Sequence, residues 1–148
     1  QSAVNAEQLV SVRGVCILPP GHRLADAKTI KAADLADEHF VSLSHHDGLR
    51  ERIDEAFQSK RVVRRMTLET EFMATICQMV LEGLGVSVVS PIMARDYESC
   101  GLIVKPFSPA VSFPISLLSS KHRPTGILAK AFTDAVMDVL VNAMTEAS

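Results

Sequence analysis

The run from Arg64 to Pro91 restricts the possible folds more than any other stretch of this chain. Arg65-Met66-Thr67-Leu68-Glu69 alternates polar and apolar residues, the mark of a strand, whereas Phe72, Ile76, Val80 and Leu84 recur every fourth residue, the mark of a helix. Thr70 stands where an N-cap belongs, and Gly83 and Gly85 stand where the helix must stop. Val86-Ser87-Val88-Val89-Ser90 is short, β-branched and mostly apolar, as a buried parallel strand should be. Two parallel strands joined by a helix form a right-handed βαβ unit, so the chain is expected to be built on an α/β sheet.

The remaining segments fit that plan. Gln1 to Gln8 carries no periodic pattern and reads as a frayed end. Leu9 to Leu18 is strand-like on both sides of Gly14, and Pro19-Pro20-Gly21 ends it. Thr29 to Ala36 reads as one or two helical turns, and Phe40 to Ser44 as the next strand. A helix follows with Leu49, Ile53 and Phe57 inward and Arg50, Glu51, Arg52 and Glu55 outward. Ser44 with Asp47 resembles a capping box, and Lys60 to Arg65 reads as a solvated basic turn. Beyond Pro91 come a short helix to about Tyr97, a strand from Leu102 to Phe107 with Pro106 at a sheet margin, and a strand from Pro114 to Ser120. Lys121 to Pro124 is a loop. The longest helix runs from Thr125 to about Met144, striped by Leu128, Phe132, Ala135, Val136, Val139 and Leu140.

Composition narrows the function. With 148 residues, 47% hydrophobic and 22% charged, the chain can bury a substantial core, and length alone suggests one domain. A formal charge of −2 gives no electrostatic footprint for nucleic acid over the whole chain. Aromatic residues are 5% and Trp is absent, which leaves little to stack on bases. No apolar run approaches a membrane span and no signal-peptide pattern opens the sequence, so the expected location is cytoplasmic. Cys16, Cys77 and Cys100 are odd in number and widely spaced, which argues against a disulfide framework and a zinc site.

Candidate ligand-binding residues sit at the turns that follow strands. In an open parallel sheet, ligands settle outside the carboxyl ends of the strands, where helix N-termini offer unpaired amides to a carboxylate or phosphate. Ser44 and the turn to Gly48 form one such place, and Thr70-Glu71 a second. Ser44 and Thr70 either cap their helices and do nothing more, or cap them and also touch ligand. His45-His46-Asp47 offers imidazoles and a carboxylate, but adjacent loop residues rarely converge on one ion and no second cluster completes a metal set. Ser42, Ser44 and His45 lack a nucleophile elbow and an orienting Asp. Gly83-Leu84-Gly85 is too short for a dinucleotide fingerprint and lies on the wrong side of its helix. No catalytic residue, metal or cofactor is expected.

The order of several motifs resembles a known family. Val15-Cys16-Ile17-Leu18-Pro19-Pro20-Gly21-His22-Arg23-Leu24-Ala25, then Ile30 to Leu35, Phe40-Val41-Ser42-Leu43, and Met79 to Pro91 with its Glu-Gly-Leu-Gly-Val core resemble the effector-binding domain of LysR-type transcriptional regulators. The resemblance spans nearly everything from Leu9 onward. It implies a three-layer α/β sandwich like periplasmic binding proteins of type 2, with two subdomains and a small effector between them. What matches is mainly the second subdomain with part of the first: the implied boundaries put the end of the first subdomain at 1–38, the second at 39–124, and a C-terminal helix packing back on the sheet at 125–148. The family's N-terminal helix-turn-helix and linker helix have no counterpart here.

Carried onto this sequence, the resemblance implies effector contacts from Ser44, His45 and Asp47, from Thr70, Glu71 and Phe72, and from Ser90 and Pro91 at the cleft border. The His-His-Asp-Gly-Leu-Arg run resembles members that sense opines or other amino-acid derivatives. The implied protein is a metabolite-sensing regulator and not an enzyme. It would act as a homodimer or homotetramer, contact DNA only through a helix-turn-helix domain absent from this sequence, and have no membrane partner. A transporter's substrate-binding protein shares the fold and is the alternative; an α/β enzyme is the third possibility.

Overall fold

A computed structural model describes residues 4–121 and 126–145. Two compact units emerge, one formed by Gln1–Val12 with Pro114–Ser148 and the other by Arg13–Phe113. In the first, β1 (Val4–Arg13) pairs with β8 (Ser112–Ser120), and α4 spans Ile127–Thr145. β1 begins earlier than its sequence pattern suggests. Val4 to Gln8 show no buried face, so pairing with β8 rather than amphipathicity makes them a strand. Of the stripe expected along α4, Val136 and Leu140 are half-buried, while Leu128, Phe132, Ala135 and Val139 are exposed. The loop expected at His122 to Pro124 and the helix start at Thr125 lie outside the described residues.

The larger unit holds the expected α/β sheet. In chain order it contains β2 (Val15–Leu18), β3 (Ile30–Lys31), a 3-10 turn (Ala32–Leu35), β4 (His39–Leu43), α1 (Gly48–Ser59) and β5 (Arg65–Thr70). α2 (Met73–Leu81), β6 (Ser87–Val89), α3 (Pro91–Glu98) and β7 (Ile103–Ser108) complete it. β4 and β5 are parallel, β2 is antiparallel to both β6 and β7, and β3 is parallel to β7. A parallel bridge between Phe40 and Val86 joins the two sets, through Val86 N–H to His39 O (2.8 Å) and Val41 N–H to Val86 O (3.0 Å). The resulting order is β5-β4-β6-β2-β7-β3, so the crossover from β5 through α2 to β6 passes over β4.

Local chemistry explains these boundaries. Gly83, at φ +80, supplies the left-handed residue that ends α2. Gly85 lets β6 start against β4, since a Cβ there would lie 2.3 Å from His39 O. A bulge separates Phe40/Val41 from the opposing strand, and the extra residue Thr67 donates its hydroxyl to Phe40 O at 3.3 Å. Phe72 and Leu84, expected on the stripe of α2, flank the helix and stay exposed; Ile76 and Val80 carry its burial. Pro106 lies within a strand interior to the sheet order, but opposite Val15, the first residue of β2, where its missing N–H costs little ladder.

Pleating divides the core in two. Ile17, Val41, Leu43 and Val89 pack beneath Ile76, Cys77 and Val80 of α2 and Ala94 of α3. On the opposite face Phe40 meets Phe57 of α1 edge-on at 5.5 Å, and Phe57 stacks on Phe107 at 5.5 Å. Helices on both faces of one sheet make the three layers. No helix among the described residues is long and apolar enough to cross a membrane.

Candidate functional site

The carboxyl ends of parallel β4, β5 and β6 point the same way, and each feeds a helix. Ser44, just past β4, donates its N–H to Thr70 O at the end of β5 (2.9 Å). Ser90 N–H meets Met73 Sδ at 3.4 Å, which brings the end of β6 to the first residue of α2. Ser44, Thr70 and Ser90 are half-buried, as is Pro91 at the first position of α3. Thus residues from three separate strand-to-helix turns are neighbours in space.

The capping differs from that expected. Asp47, not Ser44, is the N-cap of α1, accepting Leu49 N–H on Oδ1 at 2.8 Å, while Ser44 O accepts Asp47 N–H at 3.0 Å. Thr70 is the last residue of β5 rather than a cap; its Oγ1 accepts Phe72 N–H at 3.3 Å. Phe72 occupies the N-cap position of α2 without a side-chain cap. The orphan amides of that first turn therefore receive no side-chain oxygen from the cap residue. Phe72 itself is 67% exposed, and Glu71 beside it is exposed as well. His45 and His46 are exposed with ring centroids 3.8 Å apart.

Electrostatics tie this end of the sheet together through residues the sequence pattern misses. Arg50, expected on the solvent face of α1, has a side chain only 12% exposed. Its Nη1 donates to Leu43 O and to Glu69 Oε1, each at 2.8 Å, and its Nε donates to Asp54 Oδ1 at 2.8 Å. The Arg50 hydrogen bond holds the Glu69 carboxyl below its usual range against desolvation, helped by the fields of Arg50, His45 and Arg64. His45 Nδ1 lies 4.0 Å from Glu69 Oε2. The legible clue was the four-residue spacing of Arg50 and Asp54 on one helix.

Arg64 also departs from expectation. Lys60, Arg61 and Arg65 are exposed as a solvated turn requires, but the Arg64 side chain is only 7% exposed. Its guanidinium lies over both the Phe40 and Phe57 rings, 4.8 and 4.7 Å from their centroids, and is paired with Asp54. Burial, with Arg50 close by, lowers its pKa to about 10, leaving it cationic at neutral pH. Arg64 shares strand parity with Val62 and Met66, both half-buried, and that alternation is the signal a reading by charge overlooks. Arg50, Asp54, Phe57 and Arg64 line a recess of about 280 Å³ between α1 and the start of β5. No group of three His, Cys, Asp or Glu among the described residues could hold a metal.

Comparison with known proteins agrees with the architecture. The profile of the LysR substrate binding domain matches residues 1–141. The transcriptional activator protein LysR of Escherichia coli K12 is 44% identical over 126 residues, covering 85% of this chain and 40% of that protein. Regulatory protein NocR of Agrobacterium tumefaciens T37 is 34% identical over 137 residues, covering 93% of this chain and 46% of its own length. The chain thus spans less than half of these curated relatives. Among solved structures, the LysR-family regulator HinK of Pseudomonas aeruginosa superimposes with a TM-score of 0.79 at 20% identity, over 95% of this chain and 49% of that one. The effector-binding domain of QuiR in complex with shikimate gives 0.73 at 22% identity, over 93% of this chain and 65% of its own. Fold, profile and relatives converge, and the chain belongs to the LysR-type transcriptional regulators as part of their effector-binding domain.

Proposed function

We propose that this chain senses a small carboxylate-bearing metabolite, an opine or another amino-acid derivative, at the ends of β4, β5 and β6. The first turn of α2 carries the reading: it lacks a side-chain cap and adjoins the Ser44–Thr70 hydrogen bond, so its amides and dipole are available to an anion. Ser44, His45 and Asp47 approach from one turn, Thr70, Glu71 and Phe72 from the next, and Ser90 and Pro91 border them. Exposed Phe72 offers an apolar surface to the organic part of the effector. The run from His45 to Arg50 resembles opine-sensing members of the family, and QuiR, similar in fold, was solved with shikimate, itself a carboxylate.

Binding regulates by favouring one arrangement of the subunits of a cytoplasmic homodimer or homotetramer over another, and it can shift that equilibrium only by its differential affinity. DNA contact belongs to a helix-turn-helix domain outside this sequence. The test begins with mass spectrometry of metabolites retained by the purified regulator, followed by calorimetry of the recovered compound. Thr70→Val and Ser44→Ala are expected to weaken binding about 10-fold with little change in thermal stability. Unchanged affinity in both variants removes these turns from the site.

A further inference from the structure

The two turns of the candidate site come from different βα units, and something must fix their spacing. Among the described residues β5 is the last strand in the sheet order, held on one side only by β4. The bulge at Thr67 adds twist in the middle of the strand. The β4–β5 ladder runs to Leu43↔Thr70 and the Ser44–Thr70 backbone bond extends it, but strand ends at a sheet edge open at low free-energy cost. Arg50 adds a side-chain fastening to them. From the first turn of α1 it reaches the last carbonyl of β4, at Leu43, and the carboxylate of Glu69, which immediately precedes Thr70 on β5. Its third bond, to Asp54, anchors the guanidinium to its own helix.

We propose that Arg50, acting through Glu69, is the positioning residue of the effector site, holding the Ser44 turn at a fixed distance from the Thr70 turn. The proposal rests on the functional reading above. The planar guanidinium suits the task because it presents several donors in fixed directions, and here three acceptors on three elements use them. A lysine has one flexible charged tip and cannot hold all three. Glu69 also compensates the charge of Arg50, so recognition of an anion is left to the α2 amides rather than to a free arginine. With a side chain 42% exposed, Glu69 can be altered without opening a core cavity.

The experiment compares wild type with Arg50→Gln, Arg50→Lys and Glu69→Gln in the full chain. Amide hydrogen exchange is followed at Ser44 and Phe72, whose N–H groups bond to Thr70, and at Val41 and Val86, which join β4 to β6. Inorganic phosphate is then titrated as a minimal anion, monitored by the amide shifts of Met73 and Ala74. Arg50→Gln and Glu69→Gln are expected to speed exchange at Ser44 and Phe72 about 10-fold and to weaken phosphate binding, with Val41 and Val86 unchanged and Arg50→Lys intermediate. Unchanged exchange at Ser44 and Phe72, or equal acceleration at all four amides, overturns the proposal. If exchange responds as expected but wild-type Met73 and Ala74 ignore phosphate, the fastening exists while its role at an effector site falls together with the functional reading.

Discussion

The two faces of the larger sheet are stabilised by different physics. Beneath α2 and α3 the layer is apolar: Ile17, Val41, Leu43, Ile76 and Val80 exclude water, and Cys77 is buried with its thiol pKa raised to about 11, so it behaves as a small hydrophobe. Beneath α1 buried Phe40, Ile53 and Phe57 form an apolar layer that also carries a charged network. Arg64 lies over two phenyl rings, Asp54 accepts from both Arg64 and Arg50, and Arg50 goes on to β4 and β5. Apolar packing is non-directional and tolerates sliding, whereas a guanidinium network fixes angles and distances. The contrast suggests that the α2 side supplies stability and the α1 side supplies registration of the strand ends.

Truncation separates these roles. Ile76→Ala, on the apolar side, is expected to cost about 3 kcal/mol of unfolding free energy from lost transfer and the cavity left behind. Denaturant titration checks this, and the loss should be the same at low and high salt. Asp54→Ala is expected to cost about 2 kcal/mol, because it leaves Arg64 cationic, buried and without its anion. Arg64→Met breaks the same ion pair from the other end and should cost less, about 1 kcal/mol or below. There Asp54 keeps Arg50 and water, while methionine covers the Phe40 and Phe57 rings in place of the guanidinium. If Arg64→Met proves as damaging as Asp54→Ala, the α1 face depends on the cation itself and the contrast drawn above collapses.

How much of this was legible in the sequence follows the same division. The crossover from Arg65 to Val89 could be read because alternation and four-residue spacing report burial, and the apolar face is made of burial. The charged face could not be read that way. Arg50 and Arg64 look like solvent residues by type, and their inward placement depends on partners distant in sequence: Glu69 for one, Phe40 and Phe57 for both the setting and shielding of the other. The candidate turns lie at the carboxyl ends of β4, β5 and β6 because parallel-sheet topology dictates where such turns fall. Their caps were misassigned because Ser44, Asp47, Thr70 and Phe72 lie within a few residues of the helix starts, and side-chain preference alone does not separate them. The largely exposed stripe of α4 shows the converse limit, since periodicity reveals an apolar face without saying what covers it.

The smallest expected effect tests the outer edge of the charged layer. Hydrogen bonding from Arg50 holds Glu69 below its ordinary pKa of 4.5, so the folded state favours the carboxylate more than the unfolded chain does. A depressed carboxyl pKa contributes stability that is fully present above the ordinary value and is lost as pH falls through the folded one. Because Glu69 is substantially exposed, solvent screening limits that contribution to the order of 0.5 kcal/mol. Glu69→Gln should therefore be slightly less stable than wild type near neutrality, and the gap should close as the pH drops below 4.5. Urea titrations on either side of that value measure the gap. A difference that persists undiminished in acid would mean that the neutral Glu69 carboxyl does what the near-isosteric Gln amide cannot, and the ionic account of how Arg50 registers the two strand ends would have to give way to one of neutral hydrogen bonding.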